Sequence, residues 1–334
     1  MSQPQTSRKL PQGKRILSGI KSSGTQHLGN YFGAMRQYVS LQDGNDARYF
    51  IADYHSMTGV YDAAERRGNV HDIALDFLGV GLDPARAILY RQSDVPEVGE
   101  LTWILASVTP LGLLERAHAY KDSLAKGTSI EAGLFFYPVL MAADILIHRA
   151  DFVPVGQDQQ QHIEMTRDMA GKLNQRYGEV LTLPEAFIVE DVGTIPGLDG
   201  RKMSKSYGNT IEMFAPEKEL RKRIMRMETD STPVESPKDP SLPIFQLWNL
   251  FADADERAEM RDRCVRGGQG YGDVKKDLAD RVLAYFADAR RAREDWARRP
   301  SDVEDVLAAG ARRVREDSAP LLDALRQACG VGRP

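Results

Sequence analysis

Cysteine is scarce in this sequence, because 334 residues contain only Cys264 and Cys329. Two cysteines so far apart exclude a disulfide-stapled scaffold and are too few for a structural zinc site. Long apolar runs are also lacking: even Leu134–Ile147 falls short of the roughly 20 residues that cross a bilayer, and it contains Asp144. Nothing at the start resembles a secretory signal. We therefore expect a soluble protein of the reducing cytoplasm with no membrane partner.

Neither sign of charge is in large excess. The chain has 44 Lys and Arg against 48 Asp and Glu, a formal net charge of −4. This balance excludes general electrostatic attraction to nucleic acid, so any RNA contact must come from local basic stripes. The length exceeds that of a typical single core and predicts two domains, one of them large enough to enclose an enzyme cleft.

The order of β-like and helical patterns predicts the fold class. Residues 1–13 are polar, without apolar periodicity, and we expect a flexible tail there. Short β-like runs alternate with longer amphipathic stretches, which predicts a parallel sheet covered by helices. The predicted strands are Arg15–Ile20, Arg48–Asp53, Ala87–Arg91 and Phe152–Val155. A Gly, Lys and Ser-rich loop over 191–210 and a proline-punctuated linker, TDSTPVESPKDPSLP, precede a wholly helical C-terminal part.

The first motif is the stretch SGIKSSGTQHLGNYFGAM, which joins a predicted strand to a helix. Such a turn points backbone N–H groups at an anion. His27 and Asn30 can donate hydrogen bonds to phosphate oxygens, and Gly29 lets a nucleotide approach the backbone. On this stretch alone, a glycine-rich turn with a capping Asn is an equally good interpretation. The glycine spacing fits neither a dinucleotide fingerprint nor a P-loop.

The second motif is GRKMSKS, residues 200–206. Its glycine start suits a loop that closes over a polyanion. Lys202 and Lys205 can neutralise a leaving pyrophosphate, and Ser204 supplies a directional hydroxyl donor. A charged surface loop is the alternative for any such lysine pair.

The HLGN turn and the KMSKS pentad about 175 residues later together resemble the class I aminoacyl-tRNA synthetases. Three stretches narrow the resemblance to the tryptophan-specific branch, from about residue 15 to the C-terminus: SGIKSSGTQHLGNYFGAMRQY, YPVLMAADILIHRADFVPVGQDQQQHIEMTRDMA and GYGDVKKDLADRV. This resemblance implies a Rossmann-like α/β catalytic domain over 14–210, with late strands within 191–210 and a core completed by C-terminal helices. Residues 211–334 would form a helical domain that binds the tRNA anticodon.

The resemblance also implies the activity. An ATP-dependent ligase would form tryptophanyl adenylate and pyrophosphate and then charge tRNA, as a cytoplasmic homodimer. Mg²⁺ would travel with ATP, with no metal site formed by the protein. The implied catalytic residues are Lys202, Ser204, Lys205, His27 and Asn30. The implied nucleotide-binding residues are Gly29, Asp158, Lys202, Met203 and Lys205.

A helical stretch around Asp144 is the candidate amino acid pocket. Pro138 suits the first position of a helix, which predicts Tyr137 as its cap. Tyr137, Met141 and Asp144 then share one face. A buried carboxylate needs a donor, which an indole N–H, a neighbouring Arg or a backbone N–H could provide. The resemblance implies that Asp144 accepts the indole N–H, that Met141 packs on the ring and that Tyr137 helps to hold the ammonium group.

Two further turns follow predicted strands, where ligands of open α/β sheets bind. After Phe152–Val155, Asp158 is placed to accept from ribose hydroxyls and Gln159 to bind the amino or carboxylate group of the substrate; the resemblance implies the same. His55 follows Arg48–Asp53 and is expected to line the cleft, with a loop hydrogen bond as the alternative. We expect His162 to be a helix-face residue.

Some positions depart from the family pattern. Lys21 and Ser22 stand where better-known bacterial members have Gln-Pro, and His27 stands where some have Thr. Three alternatives remain: a tyrosine ligase with the same fold, a small nucleotidyltransferase with a similar turn, and a non-catalytic paralogue. The LMAAD stretch, the long helical C-terminal part and the intact lysine pair argue against them in turn.

Overall fold

Five strands form one parallel sheet in the computed structural model, which describes residues 12–156, 159–188 and 194–332. In chain order the strands are β1 (Arg15–Lys21), β2 (Asp46–Ala52), β3 (Ala87–Arg91), β4 (Phe152–Val155) and β5 (Glu185–Ile188). Across the sheet they lie in the order β3-β2-β1-β4-β5, and all neighbours are parallel. The expected Rossmann-like α/β fold is confirmed.

The last strand does not lie where the sequence predicts late strands. β5 ends before residue 191, and the described part of that segment, 194–210, contains no strand: it has an isolated bridge between Pro196 and Lys202 and a 3₁₀ turn at Lys205–Tyr207. For residues 194–210 the prediction of strands was wrong, because glycine-rich sequence of this kind favours turns over a continuous ladder.

Helices cover both faces of the sheet. Those in the described residues are α1 (Leu28–Asn30), α2 (Arg36–Leu41), α3 (Asp53–Ser56), α4 (Ala63–Gly79), α5 (Glu97–Ala106), α6 (Leu111–Leu114), α7 (His118–Ala125), α8 (Ala132–Leu146), α9 (Gln160–Tyr177), α10 (Glu217–Met225), α11 (Pro243–Asn249), α12 (Ala254–Arg266), α13 (Tyr271–Tyr285), α14 (Ala287–Ala297) and α15 (Pro300–Cys329). A π-helical segment, Tyr31–Met35, joins α1 to α2, and 3₁₀ turns lie at Gln92–Asp94 and Lys205–Tyr207. None of the helices in the described ranges is long and apolar enough to cross a membrane.

Helix α8 begins earlier than the sequence predicts. It starts at Ala132, with Glu131 at the N-cap position, so Tyr137 is not its cap and Pro138 lies inside it. The prediction was wrong because the residues before the proline are themselves packed: the ring of Phe135 meets the edge of Tyr120 with a centroid distance of 5.0 Å. Pro138 therefore costs the helix one backbone hydrogen bond without ending it.

Two apolar cores, one on each face of the sheet, hold the helices in place. Successive side chains of β2 alternate between them: Tyr49 and Ile51 belong to the first core, and Phe50 and Ala52 to the second. The first core includes residues of α4 and α10–α13, and the second includes residues of α5, α8 and α9.

Helix α15 lies against β3, the strand at one edge of the sheet. Its Val303 and Leu307 belong to the first core and its Val314 to the second. Between them, Gly310 lies so close to the strand that an added Cβ would sit 2.1 Å from the carbonyl oxygen of Leu89. Glycine at this position allows one helix to cover a strand edge that would otherwise be open to unwanted pairing.

The close approach at Gly310 predicts a stability effect. Gly310→Ala should lower the free energy of unfolding by about 1–3 kcal/mol, because the new methyl group collides with backbone that cannot rotate away. Gly272→Ala on α13 is the matched control, since an added Cβ there meets nothing within 4 Å. It should be neutral or slightly stabilising. Thermal unfolding followed by circular dichroism measures both, and equal midpoints would contradict the packing argument.

Candidate active site

The candidate site lies where the order of strands reverses. β1 and β4 are neighbours, and from them the sheet continues to β2 on one side and to β5 on the other. A crevice opens at the carboxyl ends of two strands arranged in this way. The first motif follows β1 directly, and Gly156 follows β4. The topology therefore directs the glycine-rich turn into this crevice.

The HLGN turn closes on itself as a helix cap. His27 Nδ1 accepts from the Asn30 N–H at 3.3 Å, and Asn30 Oδ1 accepts from the His27 N–H at 3.2 Å. Burial, and then the charge of Lys205, lower the pKa of His27 to about 4. The ring is therefore neutral at pH 7, and because Nδ1 accepts, the proton lies on Nε2. His27 is thereby set as a neutral Nε2–H donor.

The KMSKS loop is shaped by Asn209, a buried residue that the sequence reasoning missed. Its Oδ1 accepts from the Ser204 N–H at 2.8 Å, and its Nδ2 donates to Asp199 Oδ1 at 2.7 Å and to the Lys202 carbonyl at 3.1 Å. One amide thus fixes the backbone on both sides of Met203, which is itself buried, while the side chain of Lys202 is exposed.

The two motifs are in direct contact. Lys205 Nζ donates to the carbonyl oxygens of Ser23, at 3.0 Å, and Gly24, at 2.7 Å. An added Cβ on Gly29 would lie 2.9 Å from His27 Nδ1 and 3.4 Å from Met203 Cβ, so glycine is what allows this approach. The structure therefore brings together His27, Gly29, Asn30, Met203 and Lys205 as the sequence predicts.

Lys205 carries a perturbed charge. Burial lowers its pKa to about 8, and the carboxylates of Asp76 and Glu212 oppose that shift. A cation and the neutral donor of His27 therefore lie side by side, an arrangement suited to phosphate oxygens.

Asp144, on helix α8, has no exposed surface. It is hydrogen-bonded to two side chains that follow strands of the sheet. His55 Nε2 lies 2.9 Å from its Oδ2, and Gln92 Nε2 donates to Oδ1 at 2.7 Å and to Oδ2 at 2.9 Å. Burial raises the pKa of Asp144, and the hydrogen bonds from His55 and Gln92 act against that rise. The sequence had left an arginine or a backbone N–H open as partners. Neither is a partner of Asp144 in the described part of the chain, and Gln92 is a residue that the sequence reasoning missed.

Tyr137 and Met141 lie on the same helix as this carboxylate. Tyr137 Oη forms a 2.7 Å hydrogen bond with Nε2 of His162 on α9, and its ring lies edge-on to His55 at a centroid distance of 6.5 Å. Met141 is half-buried and packs against the second core. His162 is a helix-face residue, as the sequence predicts.

Gln159 lies on the β4 side of the crevice. Gln159 is exposed at the N-cap position of α9, and its N–H donates to the Gly156 carbonyl at 2.9 Å. Asp158 lies outside the described residues. Within the ranges described, no group of three or more His, Cys, Asp or Glu side chains is arranged to hold a metal ion.

A largely apolar cavity of about 670 Å³ lies beside His55, the residue that is hydrogen-bonded to Asp144. It is lined by Tyr54, His55, Met57, Thr58, Tyr61, Gly99, Thr102, Glu131, Gly133, Leu134, Phe136, Tyr137 and Leu140. Of the predicted substrate residues, His55 and Tyr137 contribute to its wall, whereas the enclosed Asp144 is connected to it through His55. Its size and lining suit a small aromatic molecule.

Lys21, one of the departures from the family pattern, connects β1 to the segment after helix α3, which carries His55. Its Nζ donates to Thr58 Oγ1 at 3.1 Å, and that hydroxyl donates to the His55 carbonyl at 3.0 Å. Burial lowers the pKa of Lys21. The neighbouring Ser22 is fully buried.

Residues 12–287 match the family described as tRNA synthetases class I (W and Y). This chain belongs to that family. The resemblance drawn from the two motifs is confirmed, and a small nucleotidyltransferase is excluded.

Relatives from the tryptophan branch match nearly the whole chain. The tryptophan–tRNA ligase of Fusobacterium nucleatum is 52% identical over 303 residues, which are 90% of this chain and 93% of that protein. That of Rhodopirellula baltica is 51% identical and covers 95% of this chain and 99% of its own length. The crystal structure of Campylobacter jejuni tryptophanyl-tRNA synthetase complexed with ADP and tryptophan is 46% identical, with a TM-score of 0.89 over 95% of this chain and 100% of that one.

The shifted pKa of Lys205 predicts a pH dependence for this synthetase site. Because the ammonium form is present below a pKa of about 8, ATP affinity should fall as pH rises through about 8 and on to 9.5. Lys205→Arg stays charged over that range and should remove most of the fall. Calorimetric ATP titrations at several pH values measure this. Parallel curves for the two proteins would show that Lys205 is not the group responsible.

Proposed function

We propose that this chain activates L-tryptophan with ATP, releases pyrophosphate and transfers tryptophan to tRNA. Relatives at 46–52% identity carry the name tryptophan–tRNA ligase, and the Campylobacter jejuni protein was crystallised with ADP and tryptophan. One observation within this chain supports the reaction best. Two phosphate motifs and a buried, hydrogen-bonded carboxylate lie together at the carboxyl ends of the strands.

Chemistry on the nucleotide side needs positioning and charge, not a protein nucleophile. The tryptophan carboxylate attacks the α-phosphorus of ATP in line, and pyrophosphate leaves. Lys202 and Lys205 would neutralise the charge of the leaving β- and γ-phosphates, and Ser204 would donate from its hydroxyl. The Nε2–H of His27 and the side-chain Nδ2–H of Asn30 would be further donors. Mg²⁺ comes as part of the nucleotide substrate and shares in this neutralisation.

The rest of the nucleotide would be held by contact with the glycine backbone and by hydrogen bonds to its ribose. The missing side chain of Gly29 lets His27 and the buried Met203 pack against the turn, and the nucleotide would lie against this glycine backbone. Asp158 would accept hydrogen bonds from the ribose hydroxyls.

Selectivity on the amino acid side would come from Asp144. An enclosed carboxylate with a remaining acceptor position favours a side chain with an N–H, and such a requirement can reject analogues without that donor by a factor of about 10⁴ or more. Met141 would pack on the indole ring, and Tyr137 and Gln159 would hold the ammonium and carboxylate groups. His55 would line the pocket and orient Asp144.

We further propose that residues 211–334 bind the anticodon of tRNA, whose terminal hydroxyl then attacks the adenylate carbonyl. Several arginines of this part already have structural partners: Arg293 pairs with Asp76 at 2.6 Å, and Arg221 pairs with Asp280 at 2.7 Å. Arginines such as Arg312, whose side chain is exposed on α15, are better placed for RNA.

Amino-acid-dependent ATP–pyrophosphate exchange tests the activity and the role of Asp144 together. Wild type should exchange with tryptophan and not with tyrosine. Asp144→Asn keeps the shape but removes the charge, so it should raise the KM for tryptophan about tenfold or more, because hydrogen bonds to charged groups are the stronger ones. The KM for ATP should stay within about twofold.

Each contrary outcome of that assay has a meaning. Exchange with tyrosine would show that the chain is a tyrosine ligase instead. No exchange with either amino acid would favour the non-catalytic paralogue. An unchanged KM in the variant would remove Asp144 from the indole site.

We also propose a cytoplasmic homodimer. The two cysteines are unpaired, which suits a reducing compartment. Large apolar side chains are exposed near the 670 Å³ cavity: Tyr61 is 73% exposed, and Trp103, directly after the cavity-lining Thr102, is 76% exposed. Exposed apolar residues gathered in this way are typical of a subunit interface.

Trp103→Glu should weaken the dimer, because a charge replaces an aromatic anchor at the contact. Sedimentation velocity at micromolar concentration should then show monomer where wild type shows dimer. Val265→Glu is the control, since Val265 is 60% exposed on α12, in the helical part. It should leave the dimer intact, and a Trp103 variant that sediments like wild type would place the interface elsewhere.

A further inference from the structure

We propose that Gln92 is a positioning residue that imposes the requirement for a side-chain N–H on the amino acid substrate. It would do so by orienting Asp144, so the inference rests on the proposed activation of tryptophan and deepens it. Gln92 does not itself contact the substrate in this account.

Gln92 is fixed at both ends of its amide. It has no exposed surface and lies in the 3₁₀ turn directly after β3. Its Nε2 donates to both oxygens of Asp144, and its Oε1 accepts from the backbone N–H of Tyr54 at 3.0 Å. The Tyr54 N–H can pair only with the oxygen, so the nitrogen must face the carboxylate.

The carboxylate of Asp144 keeps an acceptor position for a ligand. A carboxylate offers about four acceptor positions, two on each oxygen. Among the described residues, Gln92 and His55 donate to Oδ2 of Asp144, whereas Gln92 alone donates to Oδ1. One position on Oδ1 therefore remains for an incoming donor, and Gln92 determines where it points.

Gln92 also preserves the acceptor character of Asp144. A buried carboxylate without donors takes up a proton, and a protonated acid becomes a donor itself. Of the three side-chain hydrogen bonds on Asp144 within the described part of the chain, two come from Gln92. Without these hydrogen bonds the carboxylate would rotate or take up a proton. A substrate side chain with an N–H would then bind no better than an apolar side chain of the same shape.

A second buried glutamine provides a matched control. Gln42 is 6% exposed, its Nε2 donates to the Gly81 carbonyl at 3.0 Å, and its Oε1 accepts from the Asp83 N–H at 2.9 Å. It joins two parts of the chain through one amide, as Gln92 does, but both of its partners are backbone groups. Loss of Gln42 should therefore affect stability without affecting substrate choice.

The test compares tryptophan with its benzothiophene analogue, in which sulfur replaces the indole N–H, in ATP–pyrophosphate exchange by the full-length protein. Wild type should strongly prefer tryptophan. Gln92→Met should lower kcat/KM for tryptophan about tenfold or more and change that for the analogue by less than about threefold, since only tryptophan uses the oriented carboxylate. The KM for ATP should stay within about twofold. Gln42→Met should lower the thermal midpoint and keep the wild-type preference.

A conservative variant covers the case in which Gln92→Met does not fold. In Gln92→Glu, a protonated glutamic acid can still donate one hydrogen bond to Asp144. This variant should keep part of the preference at pH 6 and lose it towards pH 9, as the pair loses its shared proton. The other titratable groups that face Asp144 are His55, Asp53 and Tyr90. Wild type measured at the same pH values separates their titration from that of the new acid.

The outcomes separate the two proposals. Wild-type exchange with tryptophan, together with an unchanged preference in the Gln92 variants, would overturn the role of Gln92 and leave the function standing. No tryptophan-dependent exchange by wild type would overturn the function and the role of Gln92 with it.

Discussion

A carboxylate kept from water, Asp144, constrains how the amino acid side of this site can be built. Burial raises its pKa, so its ionised form depends on protein donors. Those donors come from different parts of the sheet: His55 follows β2, and Gln92 follows β3. Helix α8, which carries Asp144, therefore has to meet two strand ends at hydrogen-bonding distance. The position of α8 against the sheet and the ionised state of Asp144 therefore depend on the same hydrogen bonds.

The proposed nucleotide side of the site is organised differently. The backbone of the KMSKS loop is packed against the core, whereas the charge of Lys202 is exposed. Met203 anchors the KMSKS segment in the first core, and Asn209 fixes the peptide groups around it. Lys205 is drawn back onto the carbonyls of the first motif, whereas Lys202 remains exposed. The two lysines of one short motif thus have different surroundings, and in the proposed reaction their charges would reach a triphosphate from a buried and a solvated position. Such a division reduces the reorganisation needed when the charge of the leaving group develops.

Much of the fold and several site residues could be predicted because the information is local. Four strands and the HLGN turn are visible in runs and spacings of a few residues. The start of α8 and the role of Gln92 could not be predicted in this way. The early start depends on Phe135 packing against another helix, and Gln92 matters only because Asp144, more than 50 positions later, meets it in space. A glutamine after a strand looks like any polar turn residue until its partner is known.

The helical C-terminal part is not a detachable module, although composition separates it clearly from the sheet. Val303 and Leu307 of α15 complete the first core, and Val314 belongs to the second. A buried arginine on β2, Arg48, pairs with Asp317 of the same helix at 2.6 Å. Removal of everything after residue 210 would expose apolar surface on both faces of the sheet and leave β3 uncovered at its edge. Because Gln92 follows β3 directly, the helix that covers this strand also supports the turn from which Asp144 is oriented.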